Sequence, residues 1–369
     1  MPEERKRRPL EHPNQNPKNN PDFSYLDGHM QRKSFLQLLG LGMLPLSGFA
    51  APEAANRVRH IKVPAYLKPG DTIGIACPSG FSLPETIQPA VELIQSWGYT
   101  VKIGNTVGKR DFTFGGTDEE RAADFQAMID DPSVKAILCA TGGYGAGRII
   151  DRLNFDTLKR HPKWVIGFSD ITVFHSHLHQ VCRVASIHSK MCGSFPKDWA
   201  TADQVQTDSI LSIKNAIEGV PVIYPVLPVP HNRTGIAEAQ LVGGNLKILE
   251  NMSGSVSSIS TDGKILFVED VGEPLYNIDR MFSNLLRSGR LTKLKGLIVG
   301  GFTNIKPDSP DAPFGRDIYT IVKEQTSRFD YPVCFDFPVG HQKNNFALKC
   351  GLLHRLTVDT DQVTLQEIS

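Results

Sequence analysis

The chain has almost no net charge, no paired cysteine motif and no zinc-peptidase motif, and each shortage excludes a class of function. Forty basic residues against thirty-nine acidic ones leave a formal net charge of +1. No field of one sign therefore draws nucleic acid or an anionic membrane surface. The basic run Arg5-Lys6-Arg7-Arg8 is local and lies in a head that reads as disordered. None of the six cysteines (Cys77, Cys139, Cys182, Cys192, Cys334 and Cys350) forms a C-x-x-C pair. Their spacing specifies no disulfide. Several sit inside apolar runs such as Ala136-Ile137-Leu138-Cys139, where a thiol acts as a small hydrophobe. His175, His179 and His188 raise the question of a metal, with His175 and His179 one helical turn apart. No H-E-x-x-H accompanies them, so no metal is expected and a structural role is the alternative. Internal repeats and coiled-coil heptads are absent. Beyond the first fifty residues no apolar segment approaches the length of a membrane span.

What is present suits a water-soluble globular protein of two domains. The 369 residues are 40% hydrophobic and 21% charged. Residues 1–29 are rich in proline, asparagine and charge, without apolar period. Gln31-Arg32-Lys33 then precedes the apolar run Phe35 to Phe49, and Gly48-Phe49-Ala50 is a small-x-small cleavage pattern. This reads as an export signal starting at Met30, of a type similar to twin-arginine signals. An uncleaved N-terminal anchor is the alternative, although about 15 residues is short for a spanning helix. The expected division is a head and signal over 1–60, a first α/β domain over 61–220, a linker over 221–234 and a mixed α+β domain over 235–369.

Strands and helices alternate through the first domain. Asp71 to Cys77, Thr100 to Ile103, Val134 to Cys139 and Trp164 to Ile166 read as strands, and Pro84 to Trp97 and Asp118 to Met128 as helices. Thr117 with Glu120 predicts a capping box. Such alternation implies a mainly parallel sheet covered on both faces, with ligands at the carboxyl ends of its strands. Four prolines between Pro221 and Pro230 read as the linker. Beyond it come a helix to about Met252, a strand to Val268, a helix from Ile278 to Arg287, a strand from Gly296 to Phe302, a helix from Gly315 to Gln325 and a tail hairpin around Asp359-Thr360-Asp361.

Gly167-Phe168-Ser169-Asp170 follows the strand Trp164 to Ile166 and opens a predicted helix from Ile171 to Gln180. A serine so placed can be a nucleophile, exposed by the turn and helped by the helix N-terminus. It departs from G-x-S-x-G because Ile171 stands where the second glycine belongs, and helix capping by Ser169 or Asp170 is the competing reading. Ile265-Leu266-Phe267-Val268-Glu269-Asp270 ends in two carboxylates that strand alternation sends to opposite faces. Phe337-Pro338-Val339-Gly340-His341 adds an imidazole suited to general-base work. Gly142-Gly143-Tyr144-Gly145-Ala146-Gly147 is glycine-rich, but Arg148 stands where a dinucleotide loop needs its third glycine.

Taken together, these stretches resemble the LD-carboxypeptidase family of serine peptidases, which also holds the microcin C self-immunity peptidases. The resemblance rests on Gly74 to Gly80, Thr141 to Gly145, Gly167 to Asp170, Gly243 to Leu246, Val268 to Val271 and Pro338 to His341, in family order from about Lys62 to the C-terminus. It implies a flavodoxin-like, class I glutamine-amidotransferase-like parallel-sheet domain followed by a smaller α+β domain. It implies Ser169 as nucleophile, Glu269 (ahead of Asp270) as orienting acid and His341 as base, meeting across the domain cleft. The backbone N–H groups of Asp170 and Gly143 would form the oxyanion hole. Ser79, Tyr144 and Arg148 are the expected substrate contacts, with an ion pair on its own helix as the alternative for Arg148. The implied substrate is a murein tetrapeptide losing its terminal D-alanine, in the periplasm or at the envelope, by a homodimer without cofactor, metal or nucleic-acid partner. A detoxifying microcin-type peptidase and a non-catalytic muropeptide binder are the alternatives. Two positions depart from the family: Phe168 stands where tyrosine is usual, and Gln342-Lys343-Asn344-Asn345 follows His341 where glycine and a nearby proline are more common.

Overall fold

Two sheets take up the apolar segments of the chain. The computed structural model describes residues 60–368, so the export-signal segment lies outside the described residues. The strands in chain order are β1 (Thr72–Ala76), β2 (Thr100–Ile103), β3 (Val134–Cys139), β4 (Trp164–Gly167), β5 (Ser186–His188), β6 (Ile223–Val226) and β7 (Gly235–Asn245). They continue with β8 (Ile265–Val271), β9 (Gly296–Thr303), β10 (Val333–Cys334), β11 (Leu348–Cys350), β12 (Leu353–Val358) and β13 (Val363–Glu367).

The first sheet has the order β11-β5-β4-β3-β1-β2. Its strands β1 to β5 pair in parallel, and β11 closes one edge antiparallel to β5. Helices cover both faces, so the strands read as nearly continuous apolar runs. Alternation still sorts them. Ile73, Ile75, Leu138, Trp164 and Ile166 pack into one cluster with Ile87 and Ile213, while Ile137, Cys139 and Val165 pack into another with Phe125 and Phe174. The capping box forms as predicted. Thr117 Oγ1 accepts from the Glu120 N–H at 3.2 Å, and the Glu120 carboxylate accepts from the Thr117 N–H at 3.0 Å.

The second sheet has the order β10-β9-β8-β7-β12-β13-β6. Strands β7 to β10 are parallel, and β12, β13 and β6 add an antiparallel flank, the β12–β13 hairpin turning where the sequence placed it. Three findings depart from the sequence reading. The proline-rich stretch after Pro221 carries an edge strand, β6, in the one sheet position that tolerates missing N–H donors. Strand β8 continues through Val271, one residue past the two carboxylates that end the expected strand. Strand β11, late in the chain, returns to the first sheet.

The two sheets meet through specific bonds. The Asn245 N–H at the end of β7 donates to Thr172 Oγ1 at 3.0 Å. The Tyr224 hydroxyl on β6 donates at 2.7 Å to the carbonyl of Ala347, which leads into β11 of the first sheet. Among the described residues no helix is long and apolar enough to cross a membrane.

Candidate active site

Strand β4 ends at Gly167, and Ser169 follows in a sharp turn with φ 62. That left-handed conformation is sparsely populated for any residue with a Cβ and costs roughly 1–2 kcal/mol. It throws the side chain out of the strand line, as the elbow of a nucleophile requires. A 3-10 turn, Ser169–Ile171, then leads into the α-helix Thr172–His177. The turn is pinned from behind. The Gly167 carbonyl accepts from the Ser189 N–H at 3.1 Å and from His175 Nε2 at 2.8 Å. Burial pulls the His175 imidazole down to about 4, so it is neutral and can donate at Nε2 while Nδ1 accepts from Ser186 Oγ at 2.8 Å. Neither Ser169 nor Asp170 caps its own helix. Asp170 instead accepts from the Ala146 N–H at 2.8 Å, bracing the glycine-rich loop. Burial pushes its carboxyl up.

Ser169 faces Gly142. A Cβ on Gly142 would lie 3.0 Å from Ser169 Cβ and 3.2 Å from Oγ, so a side chain there would displace the serine. The Gly142 carbonyl is fixed by the Gly80 N–H at 2.8 Å.

The other two groups come from the second sheet. Glu269 is fully buried on β8, and one oxygen, Oε2, pairs with His341 Nδ1 at 2.5 Å and accepts from the His341 N–H at 3.2 Å. His341 Nε2 lies 3.1 Å from Ser169 Oγ. The loop that carries His341 is laid along β9: the Gly301 N–H donates to the Val339 carbonyl at 3.0 Å, and Thr303 Oγ1 donates to the His341 carbonyl at 2.8 Å. Gly340 has φ 101, and a Cβ there would come within 2.4 Å of Glu269 Cβ. Only glycine lets the loop close on the carboxylate. Asp270 points the other way, as alternation requires. It accepts from the Lys247 N–H at 2.9 Å and from Asn245 Nδ2 at 3.1 Å, and burial raises its carboxyl to about 6.

The remaining sequence candidates divide. Ser79 is fully buried beside the Asp170 carboxyl. Tyr144 is 56% exposed, its ring 5.8 Å from that of Phe114. Arg148 also lies over Phe114, but its guanidinium grips Asp118 through two bonds of 2.9 and 2.8 Å. It would have to release that carboxylate to meet a substrate. Gly143 belongs to the loop facing Ser169. Among the described residues no cluster of histidine, cysteine and carboxylate is arranged to hold a metal ion.

Sequence reasoning missed Lys190, and it named His188 and Asn345 without the contacts they make here. Lys190 is half-buried, donates to the Gln342 carbonyl at 2.6 Å and sits 5.9 Å from the centre of the Phe168 ring. Burial lowers its ammonium. Phe168 packs its ring 4.8 Å from that of His341. Asn345 Oδ1 accepts from the Gly340 N–H at 2.8 Å, so the unusual segment after His341 holds the histidine loop. No local pattern marks these residues, because their significance arises only when the sheets meet.

Comparison with known proteins bears on this arrangement. The model of the LD-carboxypeptidase N-terminal domain matches residues 73–189, and that of the C-terminal domain matches residues 238–356. The chain belongs to the LD-carboxypeptidase family. A relative from Bacillus subtilis, named a probable murein peptide carboxypeptidase, is 32% identical over 290 residues, covering 78% of this chain and 89% of its own. The murein tetrapeptide carboxypeptidase of Pseudomonas aeruginosa is 28% identical over 284 residues, covering 76% and 91%. The crystal structure of muramoyltetrapeptide carboxypeptidase from Oxalobacter formigenes superposes with a TM-score of 0.72 at 28% identity, covering 81% of this chain and 99% of that one. In this LD-carboxypeptidase family member the matched segments contain the Ser169 turn, Glu269 and His341.

Proposed function

We propose that the protein is a serine LD-carboxypeptidase that removes the terminal D-alanine from murein tetrapeptides during peptidoglycan turnover. The names of its relatives support the substrate class. The observation that carries the mechanism is one line of polar contacts, Ser169 Oγ to His341 Nε2 at 3.1 Å and His341 Nδ1 to Glu269 Oε2 at 2.5 Å, ending at a strained serine.

In this reading His341 takes the Ser169 proton at Nε2 as Oγ attacks the carbonyl carbon of the diamino acid's L-centre. Glu269 holds the tautomer with hydrogen on Nδ1 and stabilises the imidazolium. The developing oxyanion meets the N–H of Asp170 and that of Gly143. The Gly142 carbonyl is turned to Gly80, and in a trans peptide this directs the Gly143 N–H to the opposite side. Collapse breaks the amide bond, and His341 returns the proton to the departing amine of D-alanine. Water then attacks the acyl-enzyme with the same base, releasing the tripeptide. Ser79 would back the loop, and Tyr144 with Arg148 would form an aromatic and cationic rim for the peptide.

The strand order β2-β1-β3-β4-β5 with parallel pairing supports a flavodoxin-like reading of the first sheet, with Ser169 at a strand carboxyl end. We keep the division into 61–220, 221–234 and 235–369 as part of the same proposal, with the triad assembled between the two larger parts.

Variants test the assignment. Ser169→Ala should lose at least about 10³-fold in kcat with the fold intact. Glu269→Gln should also lose most activity, whereas Asp270→Asn should keep much more, measured on purified muropeptide with folding checked by circular dichroism. An essential Asp270 and a dispensable Glu269 would overturn the assignment of the orienting acid.

A further inference from the structure

Glu269 has two oxygens, and the line of contacts to His341 uses only one. Its Oε1 is buried without a hydrogen-bond partner. A fully buried carboxylate with a bare oxygen is costly. The nearest donor is His188, at the end of β5. Its Nε2 lies 4.0 Å from Glu269 Oε1. That imidazole is itself fully buried, and neither ring nitrogen has a partner. Two orphaned polar groups thus face each other, too close for a water between them and about an ångström from a hydrogen bond.

We infer that His188 is a positioning residue for the catalytic carboxylate: as a neutral imidazole it donates from Nε2–H to Glu269 Oε1, extending the line to Ser169, His341, Glu269 and His188. The inference rests on the reading of Ser169, His341 and Glu269 given above. The ring is set for this. Phe267 meets it edge-on at 5.0 Å and Phe168 at 6.0 Å, so its plane is confined between apolar walls. The backbone of His188 is locked in the sheet opposite Leu348. Its side chain therefore ties the first sheet to the Glu269 strand of the second. Burial, together with His175, His341 and Lys190 nearby, disfavours the charged imidazolium, which keeps His188 a neutral donor. The groups facing Glu269 are His341, His188 and Lys190, with Asp270 adjacent on its strand.

The bond would do two things. It would fix the rotation of the carboxylate, so that Oε2 stays aligned with Nδ1 of His341. It would also share the negative charge, so that Glu269 does not hold the His341 imidazolium too tightly. Without the donor the whole charge falls on Oε2, protonated His341 is favoured, and the free base is available only at higher pH.

The test compares His188→Phe, His188→Gln and the native enzyme on one muropeptide across pH, with Ser169→Ala measured alongside. The phenylalanine keeps the packing and removes the donor, whereas the glutamine keeps an N–H. For His188→Phe, kcat should fall roughly 10- to 100-fold, the range expected for losing a hydrogen bond to a charged group. The acid limb of its kcat/KM profile should move upward by about 0.5–1 pH unit. His188→Gln should recover most of the rate and return the limb toward its native position. If His188→Phe is active with an unmoved acid limb, or if the glutamine rescues nothing while both variants melt at the native temperature, the inference is wrong. If Ser169→Ala keeps its activity, the serine reading itself fails, which is a separate outcome. Should His188→Phe fail to fold, the profile of His188→Gln decides: a native limb upholds the donor role, and a limb shifted upward despite the retained N–H refutes it.

Discussion

Ser169 and Gly340 each hold a backbone angle that the surrounding residues must maintain. The serine, the two neighbouring carboxylates and the late histidine were legible in the sequence, since each ends an apolar run and each fell in a family-like segment. The left-handed turn at Ser169 was not, because φ 62 is imposed by the grip on the Gly167 carbonyl from His175 and Ser189. Nor was the position of Arg148, which is spent on Asp118. Gly340→Ala places a Cβ 2.4 Å from that of Glu269 at φ 101. The loop must then back away from the carboxylate, at a cost of about 1–3 kcal/mol for the backbone alone. The expected result is a lower melting temperature and a loss of kcat of at least about 10²-fold, read by calorimetry and steady-state kinetics. A variant with native kcat would show that close approach of this loop to Glu269 is not needed.

At the scale of elements, the strand and helix pattern of the first sheet followed from periodicity, and the capping box at Thr117 formed where two residues predicted it. Elements that depend on tertiary partners were less visible. Strand β5 has three residues and β11 three, too few for a pattern; β11 is held by pairing with β5, which is itself paired with β4. Strand β8 extends past the apolar run because Glu269 and Asp270 are paid for by partners outside it. Thr172, three residues after Ser169, accepts the Asn245 N–H and so fixes the serine helix against β7. Thr172→Val should leave that buried N–H unsatisfied and cost about 1–3 kcal/mol of stability. It should also lower kcat, since Ser169 precedes the helix it anchors and Glu269 lies on β8, paired in register with Asn245 at the end of β7. Thermal unfolding and kcat together check this; a destabilised variant with unchanged kcat would mean that the joint does not set the geometry of the site.

For the molecule as a whole, buried histidines set the response to acid. His175, His179 and His354 are held down to about 4, about 3 and about 4 by burial, and His188 is also held well below its ordinary value. In the unfolded chain each titrates near 6.5, by the usual value for histidine. Between pH 6.5 and 4 the unfolded state therefore binds more protons, and stability falls with acid, by up to about 1.4 kcal/mol per pH unit for each group. Asp270, raised to about 6, and Asp170, raised by burial, act in the opposite direction over part of that range, but the histidines outnumber them. The melting temperature should drop steeply from pH 7 to pH 4.5 in calorimetry, and a flat or rising profile would contradict the neutral burial of these rings. The central claim is that Ser169 cuts the bond between an L-centre and a terminal D-alanine. Its most direct measurement is the rate of amino-acid release, followed by mass spectrometry, from a murein tetrapeptide ending in D-alanine, in L-alanine or in D-alanine amide, with the native protein and Ser169→Ala. The account predicts release of D-alanine from the free D-alanine peptide by a wide margin, and none with Ser169→Ala. Equal rates on all three peptides, preference for an aminoacyl-nucleotide analogue, or release that survives Ser169→Ala would contradict it.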